Sequence, residues 1–307
     1  MTTEKDVLTA LSHVKDPELG RDLVSLNMVK NVRISEGLAT FTLELTTPAC
    51  PLKAQIEREA VAAVRSLPGI DRVEVDLTSN VVARRRPGKI AVDKVRNVLC
   101  VASGKGGVGK STVTVNFSVA LGAPIVWRGP MVGKLISDFL RQVDWGDLDY
   151  LVVDLPPGTG DASLTLIQQV PLSGVVIVTT PQEAAVTTAG KALHMFKGMD
   201  VPILGIVENM SGFACPHCGV AVDIFAKGGG KEAARELKVP FLGEIPLDPD
   251  IRASGDHGLP FVLADPESQG ARAFHSVAEQ VAARISIENA RDLQGFVILG
   301  DRRITPA

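Results

Sequence analysis

The 307-residue sequence is 45% hydrophobic, enough for one large core and a smaller one, so two domains are expected. A formal net charge of -3 gives no overall attraction to a phosphate backbone, and nucleic acid is not expected as a partner. No aliphatic run approaches the ~20 residues of a membrane-spanning helix, MTTEKDVLTA lacks an apolar signal core, and four cysteines are too few for a disulfide scaffold; these features predict a soluble, cytoplasmic protein with no membrane attachment.

Residues 1–83 read as a small α/β domain. Lys5 to Val14 has helical character, Ser35-Glu36-Gly37 supplies a turn, and Phe41, Leu43 and Leu45 alternate with polar residues as one face of a strand. In TTPACPLKAQIEREAVAAVRSLPG the stripe Leu52, Ile56, Ala60, Ala63 and Leu67 predicts a helix, with Pro51 suited to its first position and Pro68-Gly69 ending it. Val73, Val75 and Leu77 make a further alternating strand. Cys50 stands where that helix begins, and the helix dipole is expected to lower its thiol pKa.

Residues 84–96 are polar, contain Pro-Gly and lack periodicity, which marks a linker; Arg84-Arg85-Arg86 is read as solvated charge. From 97 to 283, apolar runs at Val98–Ala102, Tyr150–Val153, Val175–Val178, Ile203–Val207 and Phe241–Ile245 alternate with helical stretches. This pattern predicts a mostly parallel sheet covered by helices on both faces. The tail, 284–307, holds a strand-like apolar piece in GFVILGDRRITPA.

The run SGKGGVGKST, residues 103–112, lies between a strand and a helix, and Gly104 to Ser111 matches G-x-x-x-x-G-K-[ST] in full. The nucleotide-binding segment is therefore Gly104, Lys105, Gly106, Gly107, Val108, Gly109, Lys110, Ser111 and Thr112. Its glycines let backbone N–H groups curl around phosphate oxygens at the positive end of the following helix. Lys110 neutralises the outer phosphates, while Ser111 and Asp154, at the end of the apolar run in LDYLVVDLPPGTGD, supply oxygens for Mg²⁺. Gly158, in the loop that follows, can present its N–H to the γ phosphate.

Cys215 and Cys218 in CPHCG have the spacing of two thiolates reaching one metal from a tight turn. A single pair fills half of a four-thiolate shell, and a two-fold dimer supplies the other half. An iron–sulfur cluster, half of a structural zinc site and a redox disulfide all remain open on the residues alone. His217 reads as a loop residue, and Cys100 as core packing.

GKGGVGKST, with its early lysine, resembles the deviant phosphate loop of the MinD, ParA and ArsA group of P-loop ATPases. WRGPM, DYLVVDLPPGTGD, TTPQEAA, ENMSGFACPHCG and IPLDPDIR resemble, more narrowly, the Mrp/ApbC iron–sulfur cluster carriers over residues 97–283. The resemblance implies ATP hydrolysis with Lys105, Lys110 and Asp154 as the catalytic residues, Lys105 reaching the nucleotide of a homodimer partner, and Asn209 beside adenine. It also implies a 4Fe-4S cluster on Cys215 and Cys218, received from cluster donors and passed to apo-proteins. DPELGRDLVSLNMV and TTPACPLKAQIE resemble the small SufT and PaaD type domain of iron–sulfur assembly over residues 4–80, which implies cluster transfer through Cys50.

The sequence departs from that family near 121–125. Relatives follow the phosphate-loop helix with a strand ending in DADIYGPS and several tens of further residues, whereas NFSVALG here runs straight into APIVWRGP. The segment lacking includes the aspartate that positions water, so hydrolysis is expected to be impaired, and Ala123 to Trp127 is expected to form a short substitute strand. The alternatives are a non-hydrolysing scaffold that binds nucleotide and metal, and a MinD-like or ParA-like positioning ATPase. The latter needs a basic amphipathic C-terminal helix or a DNA-binding face, and GFVILGDRRITPA offers neither.

Overall fold

The structure, a computed structural model, describes residues 2–83, 89, 92–123, 125–126, 140, 142–158, 161–215, 218 and 220–300, with 125–126, 161–162, 165 and 292–300 described by their backbone alone. Arg84-Arg85-Arg86, Trp127, His217 and residues 301–307 lie outside that description. The chain forms two compact units: residues up to Val82 with those from Ser286 onward, and Ala83–Ile285.

In the first unit, α1 (Glu4–Leu11) is opened by a reciprocal capping box between Thr3 and Asp6, with Glu4 and Asp6 complementing the positive helix end. Strands β1 (Val29–Ser35) and β2 (Leu38–Leu45) pair antiparallel. The two residues joining them, Glu36 and Gly37, both have positive φ (47° and 78°), the backbone twist that suits a two-residue hairpin. Helix α2 (Lys53–Arg65) crosses over to β3 (Arg72–Ser79), which pairs parallel to β2, giving the order β1-β2-β3. Pro51 precedes α2 rather than opening it, since the cap is Leu52 and the first helical residue Lys53. Phe41, Leu43 and Leu45 alternate into the core as their spacing predicts, against Val7, Leu11, Ile56, Ala60 and Val64.

The second unit is the expected parallel sheet. Its strands are β4 (Val95–Ala102), β5 (Ile125–Val126), β6 (Leu148–Asp154), β7 (Leu172–Thr179), β8 (Ile203–Ala214) and β10 (Phe241–Leu247). They lie in the order β10-β8-β7-β4-β6-β5, parallel at every pairing, and β9 (Ala221–Val222) adds antiparallel to β8. Central strands β4 and β7 are buried almost throughout, as continuous Val, Leu and Ile runs require when helices cover both faces. The helices are α3 (Lys110–Ala120), α4 (Asp161–Gln169), α5 (Glu183–Gly198), α6 (Gly229–Glu236), α7 (Pro249–Asp256), α8 (Phe261–Ala264) and, as far as Ile285, α9 (Gln269–Gly300). The short β5 falls within the segment expected to form a substitute strand and pairs Ile125 and Val126 with Val152 and Val153.

One reading is corrected. The apolar stretch Phe296 to Leu299 was expected to be strand-like, and its backbone continues α9 as far as Gly300. Extending a helix already nucleated by a periodic run fixes one residue per added bond, whereas a new strand needs a partner. Among the described residues, no helix is long and apolar enough to cross a membrane.

Candidate functional site

Strand β4 ends at Ala102, and the glycine-rich run turns from it into α3. Gly107 and Gly109 take left-handed φ values of 79° and 73°, which open the loop without a Cβ penalty, and Gly109 is the residue before the first helical turn. Gly104 is required for a different reason. A Cβ there would stand 2.1 Å from the carbonyl carbon and oxygen of Thr188 and 2.6 Å from the Ala189 nitrogen, so the loop rests directly on α5.

Inside the loop, Lys110 is buried and its Nζ pairs with Asp154 Oδ1. Ser111 donates its hydroxyl to Asp154 Oδ2 at 2.6 Å, and Thr114 donates to Oδ1 at 3.1 Å. Asp154 is therefore held by a cation and two hydroxyls at the end of β6, as its place closing that strand suggested. A carboxylate beside a hydroxyl offers hard oxygen ligands of the kind Mg²⁺ takes. Lys105 is exposed. Gly158 has φ 90°, but its N–H donates to Ser103 O at 3.0 Å, so the donor foreseen for a γ phosphate is engaged with the start of the phosphate loop.

A cleft of about 570 Å³ opens beside the loop, lined by Ser111 and Thr112 of α3, Asn209 and Met210 of β8, Pro246 of β10 and Asp248 just after it. Asn209 is buried and donates from Nδ2 to Val108 O at 2.9 Å. A Cβ on Gly109 would meet that same nitrogen at 2.3 Å. Asn209 thus touches the phosphate loop and lines the cleft at once.

Cys215 and Cys218 lie at the tip of the hairpin made by β8 and β9, where Cys215 N–H donates to Val220 O at 3.0 Å. Cys215 is half-buried and Cys218 exposed, and neither is in a disulfide. Among the described residues no group of three or more His, Cys, Asp or Glu side chains converges to hold a metal. The return leg carries Val220, Val222 and Ile224, which are 58%, 48% and 52% exposed.

Cys50 overturns its expectation. Burial pushes its thiol up to about 11, outweighing the Leu52 and Lys53 backbone N–H groups at the helix start, and the Glu18 and Asp16 carboxylates push the same way. Cys100 is fully buried in β4, and burial raises its thiol as well. At pH 8 the thiolate fraction of Cys50 should be roughly a hundredfold below that of a thiol at its ordinary 9.0, and iodoacetamide labelling followed peptide by peptide should accelerate up to pH ~11. The linkage has a definite sign: an acid whose folded pKa exceeds its unfolded one costs stability as pH climbs from about 9 to about 11. Full labelling of Cys50 at neutral pH would contradict this.

Sequence reasoning passed over Glu208. This carboxylate is fully buried next to Asn209 and accepts from Ser211 Oγ at 2.6 Å, Gly228 N at 2.9 Å and Gly230 N at 2.5 Å. The signal available was a charged residue directly after the apolar run Ile203–Val207, where a buried charge demands partners.

Comparison with known proteins agrees with this geometry. The family described as NUBPL iron-transfer P-loop NTPase matches residues 94–124 and 121–282, and the iron–sulfur cluster assembly protein family matches residues 4–77. An iron–sulfur cluster carrier protein from Synechocystis sp. is 42% identical, over 94% of this chain and 99% of its own. One of the same name from Deinococcus radiodurans is 40% identical, over 94% and 97%. Among solved structures, a nucleotide-binding protein from Archaeoglobus fulgidus in complex with ADP is 37% identical with a TM-score of 0.50, over 54% of this chain and 88% of that one. The Synechocystis alignment runs over 349 positions; 94% of 307 residues is about 289, so about 60 of those positions have no counterpart here. The family match itself divides at 121–124, directly before β5. The phosphate loop, the buried Asp154 at the end of β6 and the matches over nearly the whole length lead to one conclusion: the chain belongs to the NUBPL-type iron-transfer branch of the ParA P-loop NTPases, preceded by an iron–sulfur cluster assembly domain.

Proposed function

We propose that this protein is an ATP-binding carrier that holds an iron–sulfur cluster between two copies of the chain and passes it to apo-protein acceptors in the cytoplasm. The observation that carries the reading is the placement of Cys215 and Cys218 at an accessible hairpin tip on the strand that also lines the nucleotide cleft. The names of the relatives support the cargo. Two thiolates are half of the shell a 4Fe-4S cluster takes, and a two-fold axis through the hairpin tips completes it. Exposed Val220, Val222 and Ile224 give that axis an apolar surface to cover. Lys105, exposed on the phosphate loop, is the residue offered to the partner's nucleotide.

Lys110 holds the phosphates, Ser111 and Asp154 hold Mg²⁺, Asn209 meets the base, and ATP binding biases the dimer between cluster-holding and cluster-releasing forms. Cys50 is the thiol of the N-terminal unit through which the cluster leaves, taking metal as its proton is displaced. A second reading, a scaffold that binds nucleotide without turnover, is favoured by the roughly 60 aligned positions lacking here.

Anaerobic reconstitution with iron and sulfide tests the carrier reading. Wild type should take up about four irons per dimer with thiolate-to-iron absorbance, and Cys215→Ala should take up almost none. Equal iron in both, or a wild type that stays monomeric with ATP, Mg²⁺ and iron supplied, removes it. Multiple-turnover phosphate release, compared with Lys110→Ala, separates the ATPase from the scaffold.

A further inference from the structure

The cysteine hairpin is an excursion from the sheet. It leaves along β8 through Ser211 and returns through Asp223 to the glycines that open α6. At its base the outgoing and returning legs are joined through one side chain. Glu208 takes the Ser211 hydroxyl from the outgoing leg and the Gly228 and Gly230 amides from the returning one. Gly228, the cap of α6, has no side chain to satisfy the helix N-terminus, and the Glu208 carboxylate fills that role with a charge favoured at the positive helix end. The fit is close, because a Cβ on Gly230 would meet Glu208 Cβ and Oε2 at 3.1 Å. Ser211 also donates to Glu244 Oε2 at 3.3 Å, and Lys227 pairs with that same oxygen at 3.0 Å, which ties β10 to the same base.

Neighbouring side chains on a strand point to opposite faces. Next to Glu208, Asn209 hydrogen-bonds the phosphate loop at Val108 and stands in contact with Gly109. One stiff dipeptide on β8 therefore grips the phosphate loop with one side chain and the cysteine hairpin with the other.

We propose that Glu208 is the positioning residue of the cysteine hairpin, and that the Asn209–Glu208 pair is the link through which occupancy of the phosphate loop reaches Cys215 and Cys218. The significance of the link rests on the carrier reading, but its existence does not. A movement of Val108 and Gly109 on phosphate binding displaces Asn209, β8 passes the displacement to Glu208, and the carboxylate moves both legs of the hairpin together because both hang from it. Glutamine at 208 keeps the shape and one acceptor oxygen but removes the charge and turns an N–H₂ toward one of the two amide donors, so the returning leg loses one of its two bonds and the shared anchor is weakened.

The test needs no iron. The rate at which Cys218 reacts with a maleimide is measured peptide by peptide on the full chain, with and without Mg-ADP. In wild type, ADP should change that rate by about fivefold or more, the usual scale of coupling between sites. In Glu208→Gln the ratio should collapse to near one while ADP affinity, measured by calorimetry, stays within about twofold, since Glu208 does not line the cleft. A purely structural loss would raise labelling equally with and without ADP and leave the ratio unchanged. Ser211→Ala removes one leg's hydroxyl, should cut the ratio by about half, and carries the test if the glutamine variant does not fold. A wild-type rate indifferent to ADP overturns the proposal, as does a full response in the variants. Failure of the wild type to load iron counts against the carrier reading alone, because the labelling ratio is read on iron-free protein.

Discussion

Replacing Asp154 by alanine should lower the stability of nucleotide-free protein by about 3–5 kcal/mol, because it leaves the buried Lys110 ammonium without its counter-charge. For a unit of roughly 200 residues that is a fall in Tm of about 6–20 °C. Ser111 and Thr114 lose their acceptor in the same step. The direction of the nucleotide effect is the more telling part. In wild type, a phosphate reaching Lys110 must displace Asp154, whereas in the alanine variant the ammonium has no partner to give up. Without Mg²⁺, the variant should therefore bind ADP at least about tenfold more tightly than wild type, a difference of about 1.4 kcal/mol. With Mg²⁺ present the advantage should vanish, since the metal has lost an oxygen ligand. Calorimetric titration with and without EDTA, alongside thermal unfolding, measures all three quantities. An alanine variant with wild-type Tm and wild-type Mg-free affinity would mean that the Lys110–Asp154 pair stores no competition.

Gly104→Ala should abolish nucleotide binding in the working range while leaving most of the protein folded. The added methyl meets backbone at Thr188 and Ala189, not a flexible side-chain end, so neither side can yield without moving the phosphate loop or α5. Overpacking of this kind costs about 1–3 kcal/mol in stability. Its effect on the site is larger, because a displacement near 1 Å of groups that must converge on phosphate oxygens costs on the order of a hundredfold. Gly198→Ala, at the other end of α5, is the control: its Cβ would meet nothing within 4 Å, and affinity should change little. Equal affinities for the two variants would show that the loop does not depend on its seat against α5.

Much of this was legible in the residues. Parallel strands buried on both faces read as near-continuous apolar runs, and Val98–Ala102, Val175–Val178 and Ile203–Val207 are such runs, so β4, β7 and β8 are legible in the sequence. The phosphate loop was legible because its glycines and lysine are constrained by a ligand as well as by packing. Three features were not. The competition between helix dipole and burial at Cys50 depends on how deeply the thiol sits, which no local pattern encodes; burial prevailed. The helical end of the chain was hidden because Phe296-Val297-Ile298-Leu299 has strand-like composition, and its conformation follows from the helix before it. Glu208 escaped notice because its partners lie up to 22 residues away in Gly228 and Gly230, beyond the reach of helix or strand periodicity.

The order of strands also bears on how the molecule comes into being. The strand bearing the phosphate loop, β4, has β6 and β7 as its neighbours, and both follow it in the chain. β5, though made earlier, takes the far side of β6, so nothing synthesised before residue 148 can pair with β4 in its final position. A nascent chain halted between Thr112 and Leu172 holds every residue of the glycine-rich motif and still lacks at least one of the two strands that flank β4. A phosphate loop supported on both sides must therefore await the second half of the polypeptide, and until then the Val-Leu-Cys-Val run of β4 is an uncovered apolar edge of the kind that favours aggregation.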